Sequence, residues 1–297
     1  MVPEGHYLGG GGSLSYMIIS CVILIAAIVP FFRMYEKRQP KAREVVLIAM
    51  YTAITCAAQI AFHVTVPVQA GTALVIIAGI SMGPEVGFLI GALARLVMNF
   101  YLGQGPWTPW QMFSYGLLGF MAGMAFNKAV AENKFETKEK EVMGIEMKKE
   151  RDFKVILGPV LFIIFGVVIA YITYMLFPWK DETFWGWRVY AGGLLGLVTG
   201  VIFQKKRLPI DSLTLTLFTF FVTVIIYGGI MNIAAVVTAI GVPGTEFNLD
   251  TLRIWYVSGL PYDLYHALTA ALTIFIIGPS MITKLERIKI KYGIYRR

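Results

Sequence analysis

An all-α, polytopic membrane bundle is predicted for this chain, from three observations of its sequence. Hydrophobic residues make up 57% and charged residues 15% of the 297, and the mean hydropathy is +0.67, far from a soluble globular average. The apolar residues gather into runs that match, or nearly match, a hydrocarbon core about 30 Å thick. The cations are confined to a few places between those runs.

The first run, Leu14 to Phe32, has no basic region before it and is followed by Arg33, Lys37, Arg38, Lys41 and Arg43. It is expected to remain as an anchor and not to be removed as a signal peptide. Further spans are expected at Val45 to His63, Val86 to Leu102, Gln111 to Phe126, Val155 to Phe177, Val189 to Phe203, Leu213 to Ile240 and Ile254 to Ile282. The run Thr72 to Met82 reaches only about half the core at about 1.5 Å per residue, so it is expected to be half-buried or irregular where other helices cover it. Nine membrane segments result. Lys128 to Lys154 is the only long hydrophilic stretch; its mixed Lys and Glu content reads as a solvated connector. Gly116, Gly119 and Gly123, and again Gly192, Gly193, Gly196 and Gly200, permit close helix packing without forming a repeat. Cys21 and Cys56 lie inside apolar runs, with neither a disulfide framework nor ligand spacing, and read as small core residues.

Of the 26 lysines and arginines, 22 fall at Arg33–Arg43, Lys128–Lys154, Lys205–Arg207 and Lys284–Arg297. Lysine and arginine concentrate on the cytoplasmic side, so these four places should share that side. Nine segments satisfy this with the N-terminus outside and the C-terminus in the cytoplasm. The loops around Gln104, Lys180 to Trp187 and Pro243 to Asp250 are then external. The net charge of +8 reports topology and anionic lipid; no nucleic-acid signature accompanies it.

The external stretch Gly103-Gln104-Gly105-Pro106-Trp107-Thr108-Pro109-Trp110-Gln111 is stiffened by two prolines and carries two tryptophans and two glutamines. It fits either a ligand-binding surface or an interfacial aromatic belt over a tight turn. On the second segment Ala49, Ala53 and Ala57, extended by Ala61, make one flat helix face. Such a face suits another helix, inside the bundle or on a partner.

These residues resemble a family, the substrate-binding S components of energy-coupling factor (ECF) transporters. The likeness rests on Pro30-Phe31-Phe32 with Arg38-Gln39-Pro40-Lys41-Ala42-Arg43-Glu44, on Asn99-Phe100 running into the tryptophan loop, on Tyr227-Gly228-Gly229-Ile230-Met231-Asn232, and on Gly259-Leu260-Pro261-Tyr262-Asp263-Leu264-Tyr265-His266-Ala267 ending at Leu285-Glu286-Arg287. It looks most like the cobalamin-carrier branch. The resemblance implies a six-helix core with an external ligand pocket, a plasma-membrane location, and three partner subunits, a transmembrane scaffold and two ATPases. The core is expected in residues 43–127 and 208–297, with an N-terminal anchor in 1–42 and an inserted loop and helical hairpin in 128–207. The Ala49, Ala53, Ala57 row matches the family's scaffold-docking face. A corrinoid is the first cargo expected; riboflavin, a queuosine precursor or a pyridoxine-like compound are alternatives.

Depth and side select Asn99, Tyr101, Gln104, Trp107, Trp110, Gln111, Tyr227, Asn232, Trp255, Tyr256 and Asp263 as pocket candidates, aromatics covering apolar surface and amides fixing orientation. Arg95 is placed mid-helix, either against an anionic ligand group or paired with Asp263, the pair being favoured. His266, three residues beyond Asp263, is expected to hydrogen-bond to it, and His63 reads as structural. An intramembrane enzyme built on Asp263 and His266 is the rival class, but three histidines and two cysteines hardly supply a metal centre. A channel or autonomous transporter would need more buried charge or broken helices. No cofactor of its own is expected, and no Gly-x-x-x-x-Gly-Lys-Ser/Thr loop is present, so ATP would be used by the partner subunits.

Overall fold

A computed structural model describes residues 10–37, 39–65, 68–126, 166–167, 169–170, 173–174, 187–203, 208, 210–239, 248–292 and 294. The protein is a polytopic helical membrane bundle, α1 (Gly10–Glu36), α2 (Ala42–Thr65), α3 (Ala70–Met82), α4 (Pro84–Leu102), α5 (Thr108–Ala125), α6 (Trp187–Phe203), α7 (Ser212–Ala239) and α8 (Leu249–Lys291). No strand occurs among the described residues, only a single bridge between Phe126 and Leu208.

Among the described residues five helices, α1, α2, α4, α7 and α8, are long and apolar enough to cross a membrane. Of the nine expected segments, Thr72 to Met82 is neither irregular nor half-buried: it lies in the regular 13-residue α3, every residue of which is buried because neighbouring helices cover a helix too short to span. The segments at Gln111 and Val189 are the 18-residue α5 and the 17-residue α6, and Val155 to Phe177 lies mostly outside the described residues.

Local chemistry sets the boundaries. Gly83, at φ +99°, turns the chain between α3 and α4, and Pro84 opens α4 where a missing amide hydrogen costs nothing. Asp211 caps α7 by accepting from the backbone N–H and hydroxyl of Thr214 at 2.9 and 2.8 Å, and Asn248 caps α8 through Thr251 N–H at 2.8 Å. Within α7 the turn Thr223–Gly228 is π-helical, an extra residue that rotates everything beyond it.

Bare backbone holds α3, α4 and α5 together. A Cβ on Gly87 would sit 2.6 Å from the Cα of Gly79, and one on Gly123 would sit 2.5 Å from the nitrogen of Pro84. Gly119 faces both Gly79 and Gly87. Gly192 on α6 lies equally close to Gly166. Helices in lipid associate through such contact because no hydrophobic drive separates them from the tails.

One buried apolar cluster runs through α2–α5, α7 and α8 and includes Leu197 of α6. α1 packs on α4 through Phe31 stacked on Phe88, centroids 3.8 Å apart, and presents Ile18, Ile19, Val22, Ile23 and Ile25 outward. Cys56 is buried and Cys21 half-buried.

The start of α2 and the ends of α5 and α8 meet at one end of the bundle. Leu208 N–H donates to Ala125 O at 2.8 Å, which brings the chain just before α7 to the end of α5. Arg43 donates to Tyr292 O at 3.3 Å, and Lys289 donates to Ser81 O, beside the Gly83–Pro84 turn that Gly123 touches. The tryptophan loop lies at the far end of α4 and α5.

Candidate functional site

The loop between α4 and α5 is built around Thr108, the first residue of α5. α4 ends at Gly103, whose φ of +106° is a conformation that side-chain-bearing residues rarely adopt. Asn99 donates to Thr108 Oγ1 at 3.0 Å and to Gln111 Oε1 at 2.8 Å, and Thr108 in turn donates to Gln104 Oε1 at 2.9 Å. Gly105 N–H donates to Thr108 Oγ1 at 3.2 Å, and Gln104 Nε2 to Leu96 O at 3.2 Å. The amides therefore stiffen the loop by binding one another. Tyr101 and Trp107 remain available at the surface. Trp107 is 41% exposed with its ring against Gly105, Tyr101 is 62% exposed, and Trp110 is half-buried with its indole N–H lacking an acceptor among the described residues.

A second polar group lies inside the bundle where α3, α4, α5, α7 and α8 meet. Arg95 on α4 is 6% exposed; its Nη2 donates to Tyr227 OH at 3.3 Å, and its guanidinium lies 4.4 Å from the Tyr115 ring centroid, a cation–π distance. The π turn of α7 carries Tyr227 to this place, edge-on to Tyr115 at 5.4 Å and to His266 at 4.3 Å. Thr72 on α3 hydrogen-bonds both Tyr115 OH, at 3.0 Å, and His266 Nε2, at 2.8 Å. One turn of α8 away, Asn232 Nδ2 donates to Asp263 Oδ2 at 2.8 Å, while Gly228 and Gly259 leave room for these two side chains. Tyr256 OH donates to Gly229 O at 2.8 Å, and its ring lies 4.6 Å from that of Tyr190 on α6.

Two expected pairings are replaced. Arg95 does not pair with Asp263, because Tyr227 and Tyr115 surround the guanidinium and Asp263 is turned toward α7, where Asn232 binds it. His266 does not bond Asp263 either, since its Nε2 reaches Thr72 on α3. The three-residue spacing puts both on one side of α8 but toward different neighbours. Among the described residues no group of three His, Cys, Asp or Glu side chains converges.

The structure thus gathers Asn99, Gln104 and Gln111 in the loop, and Tyr227, Asn232, Tyr256, Asp263, Arg95 and His266 inside. Tyr101 and Trp255 point outward and join neither group. Ala49, Ala53 and Ala57 are exposed along α2. The His63 side chain lies outside the described residues. Sequence reasoning overlooked Thr108, Thr72, Tyr115, Tyr190 and Tyr262, the last 6.1 Å from His266 ring to ring. Two signals were present. A threonine directly before a helix-opening proline is a natural hydrogen-bond hub, and a lone tyrosine beside Gly116 and Gly119 must bury its hydroxyl against a partner.

Residues 39–147 match the family model described as ECF-type riboflavin transporter, S component. This stretch, a little over a third of the chain, holds α2 to α5 and the tryptophan loop. It supports an S component as the class to which the chain is similar. No curated protein and no solved structure matches the chain.

Proposed function

We propose that this chain is the substrate-binding S component of an ECF-type importer, a carrier and not an enzyme, that captures a ring-bearing vitamin at the outer face of the plasma membrane. The observation that carries this reading is the family match over residues 39–147, which includes the stiff aromatic loop. It favours a flavin over a corrinoid as the first cargo to test. The described cations Arg43 and Lys289 lie at one end of the bundle, which supports placing that end in the cytoplasm, the tryptophan loop toward incoming nutrient and the N-terminus outside. Trp107 and Trp110 supply flat apolar area there.

The mechanism is one of binding and delivery. A site tight enough to hold a scarce nutrient must release it inside, and the work comes from ATPase subunits that dock through a shared scaffold. We place the scaffold contact on the exposed Ala49, Ala53, Ala57 row.

The test compares the purified chain with cells that express it. The chain alone is expected to bind riboflavin and quench its fluorescence, and labelled riboflavin is expected to enter cells only when the scaffold and both ATPases are co-expressed. Uptake by the chain alone, or no bound vitamin of any kind, would overturn the reading. A corrinoid bound in place of the flavin would change the cargo and keep the class. Replacing both Trp107 and Trp110 with alanine is expected to weaken binding on the order of 10-fold with the fold unchanged by circular dichroism. Unaltered affinity would mean that the tryptophans only anchor the interface.

A further inference from the structure

A buried guanidinium without a carboxylate needs a physical account. Arg95 stands 11 residues into α4 from Pro84, about 16 Å along the helix and hence near its middle. A charge at such depth costs about 2.5–3.5 kcal/mol on insertion scales and is normally met by a partner or a cavity. Arg95 has five N–H donors, yet among the described residues it makes one hydrogen bond, to Tyr227, and its Nε has no acceptor. The Tyr115 ring face offsets part of the charge but takes up none of the in-plane donors.

His266 stands against the same two tyrosines, 4.3 Å from Tyr227 and 6.4 Å from Tyr115 between ring centroids, with no exposed surface and with Nδ1 unpartnered among the described residues. Its protonation is adjustable through hydroxyls. When Thr72 donates to Tyr115, as the geometry allows, His266 Nε2–H donates to Thr72 and Nδ1 is an acceptor. When Tyr115 donates to Thr72 and Thr72 to Nε2, the imidazole proton moves to Nδ1, which becomes a donor. The second arrangement presents two buried N–H groups, Arg95 Nε–H and His266 Nδ1–H, beside one pair of tyrosines.

The geometry points to a recognition site for an anion: Arg95 and His266 bind a carboxylate or phosphate carried by the transported molecule. This rests on the carrier reading and sharpens it. The loop tryptophans cover the flat part of the cargo, and the interior pair selects cargo by charge. A guanidinium–anion bond in a water-poor site is strong and directional, and an uncharged analogue leaves the buried donors unmet.

Riboflavin and flavin mononucleotide share one ring system and differ by a phosphate, so together they probe the site. Titrated by flavin fluorescence into the full-length chain in nanodiscs, the phosphorylated form is expected to bind on the order of 10-fold more tightly. Arg95→Gln is expected to bring the two affinities within about twofold. Arg95→Lys, which keeps the charge but not the planar fork, is expected to keep part of the preference. Equal affinities in the unaltered chain, or a preference that survives Arg95→Gln in a folded variant, would overturn the anion site and leave the carrier reading standing. If neither flavin binds, native mass spectrometry of the gently purified chain decides. A retained molecule with a carboxylate or phosphate supports the site and a neutral one refutes it; no retained molecule refutes both the site and the carrier reading.

Discussion

A valine in place of Gly119 is expected to leave little folded protein, with a loss of about 3 kcal/mol or more. Gly119 meets the backbones of Gly79 and Gly87, and the first branch atom would lie 2.5 Å from the Gly87 carbonyl carbon. Backbone atoms cannot rotate out of the way as a side chain would. The helices α3, α4 and α5 must separate, and every close contact from Gly79 to Gly123 is lost with them. In lipid, where van der Waals contact is the main attraction between helices, nothing compensates. Gly229 supplies the contrast. Its φ of −56° and ψ of −50° are ordinary helix, and a Cβ there meets nothing within 4 Å. Gly229→Ala is expected to raise stability by roughly 0.5–1 kcal/mol by removing backbone freedom from the unfolded chain. Thermal unfolding in detergent reads both. Equal shifts for the two variants would mean that the glycine contact does not govern assembly.

The same residues show how far the sequence is legible. Small-residue spacing announced the Gly116–Gly123 face because close approach depends only on the absence of side chains, a property read directly from the letters. The shortness of α3 announced that other helices cover it for a similarly simple reason, since a helix that cannot span must be covered, though not that it is regular and buried throughout. Azimuth was another matter. Depth along α4 and α8 put Arg95 and Asp263 in one layer of the bundle, but the π turn at Thr223–Gly228 brings Tyr227 to the guanidinium, and Asn232 turns Asp263 to α7. An extra residue in one helical turn leaves no compositional trace, and it rotates every side chain beyond it. The loop amides were legible as residue types but not as a closed set, because their mutual bonding hangs on Thr108, whose hydroxyl is ordinary until Pro109 fixes the turn.

Arginine at Ala53 is expected to abolish energised uptake while sparing ligand binding. The row Ala49, Ala53, Ala57 faces outward on α2, flanked by the exposed Val46, Met50 and Ile54. The opposite face is committed to the bundle through Tyr51, whose hydroxyl donates to Leu74 O at 3.0 Å, and Gln59, which accepts from Gly71 N–H at 2.7 Å. Among the described residues nothing covers the outward row, and its flatness suits either lipid or a partner helix. A lipid-facing row tolerates a long side chain that snorkels along the helix; a helix-facing row does not, because the partner backbone occupies that volume. A charge forced into that contact costs about 2.5–3.5 kcal/mol, which corresponds to roughly a 100-fold loss of complex. Uptake in cells that express the scaffold and ATPases is expected to fall by about that factor, and vitamin affinity of the isolated variant to stay within about twofold. Ala53→Ser, small and uncharged, is expected to retain uptake. Full uptake by Ala53→Arg would show that the row meets only lipid, and the scaffold would then have to dock on another face.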